Sequence, residues 1–241
     1  MSSSELIDRV RTGDRSALAR LVTAIESGEA GVIEAIGGWG DQGPSGRRIG
    51  ITGPPGAGKS TLISAIINEL RSRSLSVAVL AVDPSSPLTG GALLGDRIRM
   101  QDHVEDDGVY IRSMASRGHL GGLAVAAGAT IDVLSKAGFD YVLVETVGVG
   151  QSEVEVMGLV EVVLLVVGPG WGDQIQAEKA GVVEIADLFV VNKGDRPGVG
   201  EVRRALLGAA GESGSEVLIT TASTGEGVAA LVDAIDRLLA G

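Results

Sequence analysis

Seven short stretches of the chain are apolar with little polar interruption: residues 48–52, 77–82, 109–112, 141–145, 162–167, 188–191 and 217–220. A strand with one wet face alternates apolar and polar residues; a strand buried on both faces does not. Segments of helical character separate most of these runs, at 60–72, 120–137, 174–186, 199–210 and 226–239. This alternation predicts an α/β fold, a mostly parallel sheet with helices on both faces. Ligands of such sheets gather at the carboxyl ends of the strands, so chemistry is expected just after each run. Residues 5–27 read as helical. One apolar stripe is Leu6, Ile7 and Val10, another is Leu18, Leu21, Val22 and Ile25, and Gly13-Asp14 breaks the two. Residues 37–46 are glycine-rich and polar and read as a linker. The expected organisation is a short N-terminal helical extension and linker, 1–47, followed by one larger unit, 48–241.

The first run leads into Gly53-Pro54-Pro55-Gly56-Ala57-Gly58-Lys59-Ser60, an unbroken G-x-x-x-x-G-K-[ST], and a helix pattern from Thr61 follows. Strand, loop and helix form the context of the P-loop of nucleotide triphosphatases. Glycines let the backbone close into a nest of inward N–H groups that suits a triphosphate. Lys59 supplies a point charge for the β- and γ-phosphates, the Ser60 hydroxyl is a Mg²⁺ ligand, and the helix aims its positive end at the same anion.

Acids stand at two other strand tips. Residues 77–82 end in Asp83, and Tyr141-Val-Leu-Val144 ends in Glu145, followed by Thr146-Val147-Gly148. An acid buried at such a tip is costly without a partner. Beside a phosphate nest that partner is Mg²⁺ or its water shell, and Asp96 is a third candidate. Gly148 allows a backbone N–H to approach the γ-phosphate and so to report its presence.

Leu188-Phe-Val-Val191 runs into Asn192-Lys193-Gly194-Asp195, an N-K-x-D motif. A carboxylate at Asp195 accepts from both N1–H and the exocyclic amine of guanine, a donor pair that adenine lacks. The Lys193 stem can pack on the ring face. Thr221, Ala222 and Ser223, just past the last strand, are placed to offer backbone N–H groups to the guanine O6.

Composition narrows the partners. At 44% hydrophobic residues the chain is not disordered, and 241 residues bury a full core. A net charge of −11 argues against nucleic acid or an anionic membrane, and 2% aromatics against a stacking platform. With no cysteine, disulfides and thiolate metal sites are excluded. No apolar run reaches the length of a membrane span, and the start, Met-Ser-Ser-Ser-Glu5, lacks the marks of a signal peptide, so a cytoplasmic protein is expected.

Several long signatures resemble the GTPase family associated with methylmalonyl-CoA mutase, the MeaB/ArgK type. They are GPPGAGKSTL at 53–62, VDPSSPLTGGALLGDRIRM at 82–100, RSMASRGHLGGLA at 112–124, ETVGVGQSE at 145–153, QAEKAGVVEIADLFVVNKGD at 176–195 and TGEGV at 224–228. The resemblance places the chain in the dimer-forming class of P-loop proteins that includes signal-recognition and metal-insertion GTPases. It implies GTP/GDP and Mg²⁺ as cofactors. It also implies a chaperone role toward an adenosylcobalamin-dependent acyl-CoA mutase, gating cofactor loading and protecting the mutase. Carried over by position, Gly53 to Thr61 hold the phosphates, and Ser60, Asp83, Asp96 and Glu145 form the metal set. Asn192, Lys193 and Asp195 read guanine, helped by Thr221 and Ala222. Residues 83–100 include a first switch, 146–155 a second, and 168–179 a third segment that couples nucleotide state to the client. Family members carry a C-terminal arm that builds a homodimer. The sequence ends at Gly241, one helix after TGEGV, which leaves a homodimer open.

The expected reaction is attack of water on the γ-phosphate, with charge neutralised by Lys59 and Mg²⁺. Glu145 or Asp96 orients water in the metal shell, and Gln151 is a candidate for positioning the attacking water. Arg97, Arg99, Arg112 and Arg117 are candidates for a charge-stabilising arginine, and His119 is assigned a structural hydrogen bond. Turnover is expected to be slow without the client. The alternatives are a P-loop kinase, which has no need of Asp195, and a metal-insertion GTPase, which needs Cys or His ligands where this chain has only His103 and His119.

Overall fold

The computed structural model describes residues 2–40, 45–84, 103, 105–116, 120–146, 148, 151–171, 183–210 and 215–241. Helix α1 (Ser3–Arg11) opens on a capping box: the Ser2 hydroxyl accepts from the Glu5 N–H, and the Glu5 carboxylate accepts from the Ser2 N–H at 2.8 Å. Asp14 caps α2 (Arg15–Glu26) by accepting from the Ala17 N–H at 2.9 Å, so the break expected at Gly13-Asp14 is present. A six-residue helix, α3 (Val32–Gly37), was not expected from the sequence and buries Val32 and Ile36.

The strands are β1 (Arg47–Thr52), β2 (Val77–Pro84), β3 (Val109–Ser116), β4 (Tyr141–Thr146), β5 (Val162–Val167), β6 (Leu188–Val191) and β7 (Glu216–Ile219). They form one sheet in the order β3-β2-β4-β1-β5-β6-β7, with every pairing parallel. All seven apolar runs are strands. β3 extends four residues past its expected end because its pairing with β2 continues to Pro84↔Ser116. The remaining helices are α4 (Lys59–Ser72), α5 (Leu120–Lys136), α6 (Gln151–Met157), α7 (Val199–Ala210) and α8 (Val228–Ala240). α6 was not expected. Of the helix expected over 174–186, residues 174–182 lie outside the described residues, and 183–185 form a turn leading into β6.

Strand alternation divides the core. Val142 and Val144 of β4, with Ala78, Leu80 and Val82 of β2, face a cluster built from α1–α3, α5 and α6. Tyr141 and Leu143, with Ile49 and Ile51 of β1, face α4 and α8. Leu165 and Val167 of β5 join Phe189 and Val191 of β6 under α7. α4 turns Leu62, Ile63, Ile66, Ile67 and Leu70 inward, each at most 1% exposed. Burial of such a side chain contributes about 1.5–3 kcal/mol, which fixes the helix that follows the glycine loop. On the opposite face Gly50 admits α6 closely: a Cβ there would stand 2.5 Å from Met157 Sδ.

The N-terminal helices are stapled to the edge strand β3. Arg15 donates to the Val109 carbonyl at 2.6 Å and lies 5.7 Å from the centre of the Phe139 ring. Arg112 of β3 bonds Glu26 and Thr23 of α2. At the amino-terminal rim of the sheet, Arg47 donates to the Tyr141 hydroxyl at 2.7 Å and to Asp236 at 2.8 Å, while Tyr141 donates to Asp236. Arg73 pairs with Asp233 and Glu69, each at 2.8 Å. Burial, together with the bond to Asp236, pushes the Tyr141 phenol up to about 12. Among the described residues no helix is long and apolar enough to cross a membrane.

Candidate functional site

The carboxyl rim of the sheet gathers the motifs. β1 ends at Thr52, and Gly53 follows with φ +139°, where any Cβ would collide with the Val166 carbonyl. The loop closes at Gly58, with φ +92°, and α4 begins at Lys59. A side chain at Gly58 would meet Asn192 Nδ2 at 2.5 Å, so glycine is needed there for space as well as conformation. Lys59 is only 6% exposed. Its Nζ lies over the root of the loop and donates to the carbonyls of Gly53 at 2.8 Å and Pro54 at 3.1 Å.

Ser60 and Glu145 come together from different elements. The parallel register sets Ile51 of β1 beside Glu145 of β4, and the alternation that aims Tyr141 and Leu143 toward α4 aims Glu145 there too. The Ser60 hydroxyl donates to Glu145 Oε1 at 3.0 Å, with Ser60 4% and Glu145 2% exposed. A buried hydroxyl and carboxylate, both hard oxygen donors beside a phosphate nest, fit Mg²⁺. Among the described residues no group of three or more His, Cys, Asp or Glu gathers. The backbone of Asp83 belongs to β2, at the same rim, but its side chain lies outside the described residues, as does all of Asp96.

The N-K-x-D loop leaves β6 beside the glycine loop and is bonded to it. Asn192, 2% exposed, donates through Nδ2 to the carbonyls of Ala57 at 3.0 Å and Gly58 at 3.3 Å. Its Oδ1 accepts from Thr220 Oγ1 at 3.2 Å and from the Ala222 N–H at 3.1 Å. Lys193, with φ +61°, donates from Nζ to the Gly56 carbonyl at 2.6 Å. Asn192 and Lys193 thus join the phosphate-type loop, the β6 loop and the loop after β7. Asp195 is exposed at the rim. The Thr221 N–H donates to the Glu226 backbone carbonyl and the Ala222 N–H to Asn192 Oδ1, so two of the three amides expected to meet a base already have partners inside the protein. Ser223 is exposed at the tip of that loop. A groove of about 440 Å³ runs from Thr61 and Ser223 along α4 to Glu69.

Other expectations separate. Arg112 is bonded to α2 and is held away from the rim. Gln151 opens α6, but its side chain lies outside the described residues, and so do Arg97, Arg99, Arg117 and His119. Gly168 follows β5, and a Cβ there would lie 3.9 Å from both Ala57 and Lys193. The segment expected to form a third switch therefore starts between the two loops, and its residues 172–179 lie outside the described ones. The sequence reading placed residue 146 in the second switch but missed its hydroxyl contact with Thr52. Thr146 Oγ1 donates to Thr52 Oγ1 at 3.1 Å, and Thr52 donates to the Gly148 carbonyl at 3.0 Å. Both look like ordinary β-branched strand formers, and only their place at neighbouring strand tips marks them.

Comparison with known proteins gives consistent results. The profile of the family described as "Methylmalonyl Co-A mutase-associated GTPase MeaB" matches residues 18–240. A Pyrococcus abyssi protein named as a GTPase is 55% identical over 194 residues, which are 80% of this chain and 60% of that protein. The GTPase ArgK of Escherichia coli is 44% identical over 200 residues, 80% of this chain and 59% of that protein. The crystal structure of an LAO/AO transport system kinase superposes with a TM-score of 0.76 at 30% identity, covering 99% of this chain and 75% of the other. The chain spans about 60% of the length of these two curated relatives. With its glycine loop, acidic strand tip and N-K-x-D loop on one rim, the chain belongs to the methylmalonyl Co-A mutase-associated GTPase (MeaB) family.

Proposed function

We propose that this chain binds GTP with Mg²⁺, hydrolyses it to GDP and phosphate, and uses the cycle to serve an adenosylcobalamin-dependent acyl-CoA mutase. The service is that of a chaperone of the methylmalonyl-CoA mutase type, which gates cofactor loading and protects the mutase. Residues 48–241 form the GTPase unit and 1–47 its helical extension. The observation that carries the reading is the Asn192 clamp, which bonds the phosphate-type loop to the N-K-x-D loop and to Ala222. A ligand that spans those loops has polyphosphate at one end and a purine at the other.

In this reading the backbone of Gly53 to Thr61 cradles the phosphates, and Lys59 exchanges its carbonyl partners for phosphate oxygens. Ser60 and Glu145 hold Mg²⁺, with Asp83 and Asp96 as the further carboxylates. When bound, the ion would supply neutralisation of the charge on the polyphosphate. Asp195 accepts the guanine donors, with Thr221, Ala222 and Ser223 shaping the wall around O6. Gln151 is the candidate that positions water. The family description supports the choice of client.

Calorimetry with GTP and ATP tests the nucleotide reading. Micromolar or tighter GTP binding with ATP at least a hundredfold weaker is expected; equal affinities favour a kinase. Affinity capture of the mutase with GDP and with a non-hydrolysable GTP analogue tests the client. Nucleotide-dependent retention is expected, and no retention in either state removes the chaperone role.

A further inference from the structure

The tips of β1 and β4 carry a second polar arrangement, on the face away from Ser60 and Glu145. Thr52 and Thr146 are 0% and 1% exposed. Their hydroxyls act in series: Thr146 donates to Thr52 at 3.1 Å, and Thr52 donates to the Gly148 carbonyl at 3.0 Å. Gly148, with φ +110°, also forms an isolated antiparallel bridge with Gly53. The Gly53 carbonyl in turn accepts from Lys59 Nζ at 2.8 Å. Thr52 therefore ties the glycine beyond the acidic strand tip to the corner of the loop where the lysine ends. Hydroxyls in series polarise one another, and a buried chain of this kind is costly to leave half satisfied. Strand propensity alone does not call for it, since valine is as good a strand former and carries no hydroxyl.

We propose that Thr52 is a positioning residue for recognition of the terminal phosphate. Through the Thr146–Thr52–Gly148 chain it holds the Gly148 backbone at the Lys59 corner, so that a triphosphate is distinguished from a diphosphate. Thr52 itself touches no nucleotide. The inference rests on the guanine-nucleotide reading of the site, with Gly148 as the reporter of the γ-phosphate, and adds the side chain that sets the position of that glycine.

The test is the ratio of affinities for a non-hydrolysable GTP analogue and for GDP, both with Mg²⁺, in Thr52→Val, Thr52→Ser and Thr146→Val. Thr52→Val is expected to weaken the analogue about five- to tenfold and to leave GDP within about twofold. Thr52→Ser keeps the hydroxyl and is expected to restore the wild-type ratio. Thr146→Val, one bond further out, is expected to shift the ratio the same way by about two- to threefold, and it carries the test if Thr52→Val does not fold. Equal loss of both nucleotides, an unchanged ratio, or failure of Thr52→Ser to restore it overturns the inference alone. A wild-type protein that binds neither guanine nucleotide overturns the site reading, and this inference with it.

Discussion

At the amino rim of the sheet the charged pairs stand half in solvent; at the carboxyl rim the polar side chains are buried and pair largely with backbone. Arg47–Asp236 and Arg73–Asp233 bridge strands and helices with all four side chains at least 30% exposed. Lys59 and Asn192 are nearly inaccessible, and their partners include the carbonyls of Gly53, Pro54, Ala57 and Gly58. Half-exposed ion pairs contribute about 0–1 kcal/mol each. Buried polar groups cost desolvation that their hydrogen bonds only partly offset. The carboxyl rim thus concentrates polarity where it adds little to stability, which is the arrangement expected where a ligand supplies better partners.

Substitutions at the two rims should therefore separate binding from stability. Lys59→Ala is expected to lower triphosphate affinity at least about a hundredfold while thermal unfolding moves by only a few degrees; near-normal affinity in titration calorimetry breaks the comparison. Asp195→Asn exchanges one acceptor for a donor and is expected to shift preference from guanine toward xanthine nucleotides by about tenfold or more. Competition binding that still favours GTP removes the base-reading role. Asn192→Ala belongs to both classes, because its side chain bonds two neighbouring loops. A loss of about 1–3 kcal/mol in denaturant unfolding is expected with it, together with roughly tenfold weaker GDP binding, and a stability change without a binding change would sharpen Asn192 into a purely structural tie.

The amino rim predicts smaller effects. The folded protein holds the Tyr141 proton up to about 12, whereas the unfolded chain releases it near 10, so stability falls as the pH rises between those values. Tyr141→Phe is expected to flatten that part of a pH–stability profile, and an unchanged slope rules out Tyr141 as its source. Arg73→Ala is expected to cost less than about 1 kcal/mol and to leave GDP affinity as it was; a marked loss of affinity would show that the rims communicate through α4.

Much of this architecture was legible because burial on both faces writes strands as unbroken apolar runs. Leu164 and Val166 serve one cluster and Leu165 and Val167 another, so no polar residue interrupts β5. The short helices were not legible. α6 reads Gln-Ser-Glu-Val-Glu-Val-Met and α3 has only six residues, too few turns for a helical period to emerge. At the site, the residues with local signatures stood out: the glycine loop, the strand-tip Glu145 and N-K-x-D. The Ser60–Glu145 contact was anticipated as a shared metal set, whereas the Asn192 clamp was not, because nothing in N-K-x-D marks its asparagine for the carbonyls of the glycine loop. The amides of Thr221 and Ala222 looked available in the sequence, and only the folded loop shows what they bond. The Thr52–Thr146 hydroxyl pair stayed hidden because a threonine in a strand looks like any other β-branched strand former, even though residue 146 opens the expected second switch.

Gly50 shows how a residue without sight of the nucleotide can govern it. Met157 and Val160 rest on the bare backbone of β1 at that point, and α6 starts three residues after Gly148. A single added methyl acts as a shim under the far end of that helix, tilting its near end, three residues from Gly148. An activity screen would score Gly50→Ala among the chemical lesions, although every group around the phosphates had kept its identity.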